Sequence, residues 1–240
     1  MKSSKLIVLG LLFSTVFLIN DTSVHAASMK SKSTVSFEED TSSVDPLDPT
    51  NPDITNPITP TDPDDHEDGT AGPLSIDYVS NIRFGLNKAS GKEEIYWATL
   101  DEIKDSQGAD LQVPNFVQVT DKRGVWDGWH LTVTQEEQFY NASAKEYLES
   151  AELTIMNSVP NSADGGDEPT VSSSITLVPG TPSDVANATE SKGSGTWSIR
   201  FGQDADAGKK SISLKVPAKT TKAQGEYSTT LTWQLSDSPI

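Results

Sequence analysis

Histidines and carboxylates are the residues of this sequence that could carry acid–base chemistry. The 240 residues include three histidines and no cysteine, which removes the thiol nucleophile and leaves little for a histidine-based zinc site. His130 alternates with Trp129 and Leu131, so its ring is expected on the opposite face of a strand from these two apolar residues. His25 and His66 lie in N-terminal segments that are predicted below to be processed or unfolded. The histidines therefore offer no obvious catalytic group.

The carboxylates are numerous, but none of them forms a distinctive pair. The chain has 35 Asp and Glu against 18 Lys and Arg, a net charge of −17. The adjacent pairs Glu93–Glu94 and Glu136–Glu137 are typical of a solvent-exposed surface. The sequence also has no Gly-x-Ser-x-Gly turn and no phosphate-binding glycine loop. We therefore predict a protein that is not an enzyme and has no cofactor and no metal. The acidic charge also argues against nucleic acid as a partner, because phosphate polymers are repelled.

The tryptophans are more informative than the titratable residues. Two of the five stand in the same frame, Trp129-His130-Leu131 and Trp233-Gln234-Leu235. Residues two apart lie on one face of a strand. In one interpretation both strands belong to the core, where Trp and Leu bury large apolar areas; in the other, the indoles form an exposed platform for sugar rings or a partner. Residue statistics favour the core.

Short strands are the elements that position these tryptophans. Apolar and polar residues alternate in residues 74–78, 129–133, 153–155, 175–177, 197–201, 212–216 and 231–235. Gly-, Pro- and Asp-containing turn signals separate these stretches, a pattern typical of all-β proteins. We expect a compact β-sandwich or barrel-like domain over residues 72–240, either one body or two intertwined lobes. Residues 143–152 have apolar residues at helical spacing and are the single helix candidate.

Residues 27–71 have the composition of a spacer. The first part is rich in serine, and the second has six prolines between residues 46 and 63, interspersed with Asp, Asn and Thr. Dense proline removes backbone donors and favours extended chain, and like charges extend it further. We therefore predict that residues 27–71 form a disordered, semi-rigid spacer before the folded domain.

The N-terminus has the order of a secretory signal peptide. Lys2 and Lys5 precede an apolar run from Leu6 to Ile19, and a small-residue site ends at Ala26. The run is shorter than the roughly 20 residues that span a bilayer, so we predict residues 1–26 to be removed rather than retained as an anchor. A cut after Ala27 is the alternative. Residues 235–240 show no hydrophobic tail or sortase-type signal. We therefore expect an extracellular protein held on its cell without a covalent bond.

The two tryptophan frames also carry a family resemblance. The sequence resembles the WxL domain of Gram-positive surface proteins over residues 72–240. One family motif matches Trp129 and Leu131, within the segment VTDKRGVWDGWHLTV. The second, more diagnostic motif has the form Tyr-x-x-x-[Leu/Ile/Val]-Thr-Trp-x-Leu-x-x-x-Pro and matches Tyr227, Leu231, Thr232, Trp233, Leu235 and Pro239. A single Trp-x-Leu is weak, but two in this order are specific.

The resemblance implies a function and partners. Proteins of this family attach non-covalently to the cell wall, to peptidoglycan, through an all-β domain in which the two motifs lie close together. The motif residues would serve wall binding or hold the fold. An alternative is a subunit of a surface complex that docks onto a membrane-anchored WxL-interacting protein and other co-encoded surface proteins and contributes to adhesion. No membrane span is expected in the mature chain.

Overall fold

The computed structural model describes residues 27–62 and 66–240. The signal peptide predicted over residues 1–26 lies outside the described residues. The chain divides into two units, Met1–Ser36 and Phe37–Ile240. Within the first unit, residues 27–36 are exposed and have no regular secondary structure. Every strand described below belongs to the second unit.

The two motifs lie in one four-stranded antiparallel sheet, which we call the motif sheet. Its strand order is β12 (Thr170–Val171), β14 (Ser183–Ala188), β7 (Trp129–Gln135) and β17 (Leu231–Ser236). The first motif therefore occupies a central strand and the second motif an edge strand. A register shift between Asp184 and Ala186 marks a bulge where β14 pairs with β7.

Four further antiparallel sheets complete the regular β-structure of the described residues. A second four-stranded sheet runs β11 (Ser158–Ser162), β15 (Gly195–Phe201), β6 (Phe116–Asp121) and β2 (Leu74–Val79). A third runs β13 (Ser174–Thr176), β10 (Glu152–Met156), β16 (Ile212–Val216) and β3 (Glu94–Trp97). A three-stranded sheet contains β1 (Thr59–Pro60), β4 (Asp101–Lys104) and β5 (Asp110–Val113), and a two-stranded ribbon contains β8 (Tyr140–Asn141) and β9 (Glu146–Tyr147).

The inward faces of the three four-stranded sheets share one main hydrophobic core. Its buried members include side chains from β7, β10, β15 and β16, which alternate with polar residues along each strand. Their representatives are Trp129, Leu131, Leu153, Ile155, Ile199, Phe201 and Ile212. The prediction of an all-β fold, with antiparallel sheets packed in a compact domain, is confirmed.

A second, small core lies on the other face of β6. It consists of Ile58, Tyr78, Ile103, Val113 and Phe116. Strand β6 is buried along its whole length, because its alternate residues face the main core and the small core. The second sheet is therefore covered on both sides.

The Pro/Asp-rich segment departs in part from the expected disordered spacer. Leu47 and Ile58 are each 2 % exposed, and the Leu47 amide donates to the Gln118 side-chain oxygen at 2.8 Å. Strand β1 pairs with β4, and the Pro49 carbonyl accepts from the Asn161 side chain at 2.9 Å. Isolated apolar residues between prolines supply this packing, so residues 45–62 belong to the folded unit.

The helix expected over residues 143–152 is absent. A turn, the strand β9 and a second turn occupy most of this stretch, and β10 begins at Glu152. Asn141 accepts backbone bonds from Ser143 and Ala144 at 3.0 Å each, which turns the chain back on itself. The one helix among the described residues is the short α1 (Ala205–Gly208), capped by the Asp204 side chain.

Candidate functional site

The first motif is built around a completely buried tryptophan. Trp129, Leu131 and Val133 are each 0 % exposed and alternate along β7 with half-buried His130, Thr132 and Thr134. The Trp129 indole N–H donates to the Gly193 carbonyl at 2.8 Å, so its single polar atom is satisfied inside the core. The core interpretation is confirmed for this tryptophan.

Two glycines shape the space around Trp129. Gly193 has φ +71°, and a Cβ there would lie 2.6 Å from the Trp129 indole nitrogen and 2.5 Å from the Ala188 Cβ. Gly128, immediately before the motif, has φ +77°, and a Cβ there would lie 2.0 Å from the Ala188 carbonyl oxygen. Both positions therefore require glycine, for backbone conformation and for space.

The second motif pairs directly with the first. In the register of β17 and β7, Leu235 is opposite Leu131, Trp233 is opposite Val133, and Leu231 is opposite Gln135. Directly opposite residues share a face, so Leu231, Trp233 and Leu235 pack half-buried against the main core. The Trp233 ring stacks on Phe201, with 6.1 Å between ring centroids.

The remaining residues of the second motif have different environments. The Thr232 side chain is on the exposed face of β17. Tyr227 is half-buried against the main core, and its hydroxyl accepts from the Ala223 amide at 2.9 Å. Pro239 is half-buried beyond the strand, and the following Ile240 exchanges two hydrogen bonds with the Asn187 side chain. These contacts tie the segments on both sides of β17 to the domain.

An arginine fixes the loop between β6 and the first motif. The Arg123 guanidinium makes a two-point contact with buried Asp121, at 2.9 and 2.7 Å, and donates to the Gly128 carbonyl at 2.6 Å. Hydrogen bonding to the Asp121 carboxylate raises the pKa of Arg123 above its usual value. Arg123 therefore ties together the two ends of the loop over residues 121–128.

His130 was the one histidine expected in the folded region, and the structure places it beside one carboxylate. Its Nε2 atom is 3.0 Å from an oxygen of Asp184. Among the described residues, no group of three or more His, Asp or Glu side chains is arranged to hold a metal ion. The ring is mostly covered, so His130 joins neighbouring strands of the motif sheet.

The sequence model of one family matches almost the whole chain. Residues 24–239 match the family described as "WxL domain surface cell wall-binding". The chain belongs to this family. The WxL match includes residues 45–62, in agreement with the packing of this segment on the domain. The protein is accordingly a surface protein with a cell-wall-binding domain. No curated protein and no solved structure matches it significantly.

The structure brings the WxL motifs together and also reveals a neighbouring surface that the sequence analysis missed. Trp126 is 64 % exposed and lines an open cleft of about 430 Å³ together with residues 164–167, 191 and 193–195. We call this the Trp126 cleft. The available signal was the position of Trp126, three residues before Trp129 and thus outside the alternation of β7.

The described part of the chain contains no helix with the length and hydropathy of a membrane span.

Proposed function

We propose that this WxL protein is exported and attaches non-covalently to the peptidoglycan of a Gram-positive cell wall. One observation carries the proposal: the family match extends over residues 24–239, with both motifs intact and paired in one sheet. Because Trp129 is buried, we assign the motif residues to holding the binding domain together. The ligand would then be bound by surface that the motif sheet supports.

Export is the part of the proposal that depends on residues 1–26. Basic residues, an apolar run and a small-residue site stand there in the order that signal peptidase requires. Mass spectrometry of the protein recovered from the culture surface would give a chain that begins at Ala27. An intact N-terminus on the recovered protein would contradict cleavage after Ala26.

Sedimentation with isolated peptidoglycan tests the attachment. The mature chain should pellet with sacculi freed of teichoic acid and protein, and muramidase digestion of the same sacculi should leave it in the supernatant. An acidic protein of similar size and net charge serves as the control for non-specific adsorption. A chain that stays in the supernatant with intact sacculi contradicts the proposal.

Docking onto a membrane-anchored WxL-interacting protein is the second candidate function. Strand β3 ends its sheet on one side, and its Ile95 and Trp97 are 53 % and 41 % exposed. An edge strand with exposed apolar side chains is suited to pairing with a strand of another protein. Ile95→Lys should abolish co-purification with that partner and leave sedimentation with peptidoglycan intact. Unchanged co-purification of this variant would contradict docking at β3.

We also propose that the protein does not catalyse wall hydrolysis. The family is described by its binding to the cell wall, and the pairing of His130 with Asp184 lies within a sheet. Incubation of the pure protein with labelled peptidoglycan should release no soluble label. Release above that of a heat-inactivated sample would establish an enzyme.

A further inference from the structure

The Trp126 cleft combines an exposed indole with a fixed position next to the first motif. Trp126 is 64 % exposed, whereas Trp129, three residues later, is fully buried. The cleft is open to solvent and has a volume of about 430 Å³. An aromatic ring that the core does not require is thus placed where a ligand can reach it.

The walls of the cleft are held by hydrogen bonds on each side. The Trp126 carbonyl accepts from the Ser191 amide at 2.9 Å, and the Asp167 carbonyl accepts from the Gly193 amide at 3.0 Å. The Asp164 carboxylate accepts from the Thr196 amide at 3.2 Å. Arg123 fixes the other end of the Trp126 loop through the Gly128 carbonyl. The cleft is therefore pre-organised, which lowers the entropic cost of binding.

Glycines, two aspartates and two serines line the cleft together with Trp126. Asp164 and Asp167 flank Gly165 and Gly166, and a Cβ at either glycine would meet no atom within 4 Å. No side chain covers the backbone at these two glycines, so a ligand can approach it closely. Protein–protein interfaces are depleted of charge at their centre, so a lining with two aspartates does not suit a protein partner.

Charge distinguishes between the two other kinds of wall ligand, phosphate polymers and neutral sugars. The carboxylates of Asp164 and Asp167 and the net charge of −17 repel phosphate polymers such as teichoic acid. A neutral sugar meets no such repulsion: the C–H face of a pyranose ring can stack on an indole, and its hydroxyls can donate to carboxylate oxygens. A carboxylate has more than one acceptor position, so Asp164 can hold Thr196 and still accept from a hydroxyl.

We propose that the Trp126 cleft binds the glycan strand of the cell wall, through neutral N-acetylated sugar units that stack on Trp126 and donate hydroxyl hydrogen bonds to Asp164 and Asp167. This inference rests on the proposed attachment to peptidoglycan and names the ligand and the site. The motif sheet positions the cleft, since Gly193 both lines it and accepts the hydrogen bond of Trp129.

The test uses the mature chain and two exposed tryptophans. Trp126→Ala changes the cleft, and Trp97→Ala, on β3, is a matched control with an exposed indole elsewhere. Asp167→Asn probes the hydroxyl acceptor. Calorimetry would measure binding to neutral oligomers of N-acetylglucosamine, with isolated stem peptides as a second probe. Sedimentation with sacculi and thermal unfolding would be measured in parallel.

The expected result is weaker glycan binding in the two cleft variants and unchanged binding in the control. Trp126→Ala should weaken the affinity for the N-acetylglucosamine oligomers about tenfold or more, as truncation of a central aromatic anchor does elsewhere, without changing the Tm. Asp167→Asn should weaken it less, and Trp97→Ala should bind like the unmodified chain.

The other outcomes separate this inference from the proposed function. Sedimentation of the unmodified chain together with undiminished glycan binding by Trp126→Ala would overturn the cleft and leave wall attachment standing. Binding of stem peptides but not of N-acetylglucosamine oligomers would overturn the glycan as ligand. Failure of the unmodified chain to sediment would overturn the proposed function and this inference with it.

Discussion

At the scale of single residues, the two tryptophans of the WxL motifs have unequal environments. Trp129 is fully buried and its N–H is satisfied by Gly193. Trp233 is half-buried on an edge strand and stacks on Phe201. One motif therefore contributes a core side chain and the other covers the rim of the same core, so equivalent substitutions should have unequal effects.

Substitution of each motif tryptophan by alanine tests this difference. Trp129→Ala should lower the free energy of unfolding by about 3–5 kcal/mol, as in other large-to-small aromatic changes in a core. Trp233→Ala should cost less, because its side chain already contacts solvent, and its folded fraction should still sediment with peptidoglycan. Urea unfolding gives the free energies. Loss of sedimentation by Trp233→Ala at an unchanged Tm would instead make Trp233 a ligand-facing residue.

Asp77 is a buried carboxyl at the same scale. Its oxygens accept from Ser75, Thr120 and Gln118. Burial nevertheless raises the pKa of Asp77 above its usual value, because desolvation outweighs these three hydrogen bonds. Because the pKa is raised in the folded state, the protonated carboxyl of Asp77 contributes fully to stability below its unfolded pKa of about 3.9. That contribution is lost as the pH rises through the folded pKa.

The variant Asp77→Asn should lack this pH dependence. Relative to the unmodified chain, its Tm should rise between pH 4 and pH 7, since the amide has no proton to lose. Asp53→Asn is a control of opposite sign, because hydrogen bonds from Thr55 and Asn56 lower the pKa of Asp53; its relative Tm should fall as the pH rises from acid towards about pH 4 and stay nearly flat between pH 4 and pH 7. A relative Tm of Asp77→Asn that is flat with pH would contradict the assignment.

At the scale of elements, the motif sheet depends on close contact between β7 and the turn at Gly193. Gly193→Ala places a Cβ 2.6 Å from the Trp129 indole nitrogen. Gly180→Ala is a matched control, since Gly180 also has a positive φ, of +75°, but meets no atom within 4 Å. Gly193→Ala should cost about 1–3 kcal/mol more than Gly180→Ala, the usual range for overpacking. Equal urea midpoints for the two variants would show that the turn at Gly193 shifts to accommodate the added Cβ, which would contradict the prediction.

The sequence predicted these elements where a period of two was strong. The alternation around Trp129, Trp197 and Trp233 identified β7, β15 and β17 correctly. Residues 143–152 were wrongly assigned to a helix, because apolar spacing there cannot reveal that Asn141 caps a turn or that Lys145 and Ser150 adopt positive φ. The pairing of the motifs was implied by the family resemblance; its register was not, since alternation does not specify which strands are neighbours.

At the scale of the whole molecule, the folded unit extends further towards the N-terminus than composition indicated. Leu47 and Ile58 are isolated apolar residues among prolines, so no periodic pattern marked them as buried. The Gln118 side chain that accepts from the Leu47 amide lies 71 residues further along the chain. Such a contact depends on tertiary placement, which single-sequence patterns do not contain.

Truncation from the N-terminus tests this boundary. A chain beginning at Phe37 should have the Tm of the mature protein, because residues 27–36 are exposed. A chain beginning at Gly72 should be less stable by several kcal/mol, since burial of Leu47 and Ile58 contributes about 1.5–3 kcal/mol each and Gln118 loses a partner. Thermal unfolding compares the three chains. A Gly72 chain with an unchanged Tm would restore the interpretation of residues 45–62 as a spacer.

The register that sets Leu235 opposite Leu131 has a consequence for the time course of folding. Strand β7 cannot gain its second neighbour until residues 231–236 are available, and almost the whole folded unit precedes them in the chain. Contacts so distant in sequence slow folding, because the loop must close before the pairing is gained. In a polypeptide that left an export channel with its N-terminus first, the motif sheet would thus gain its last strand only after residues 231–236 had emerged on the far side.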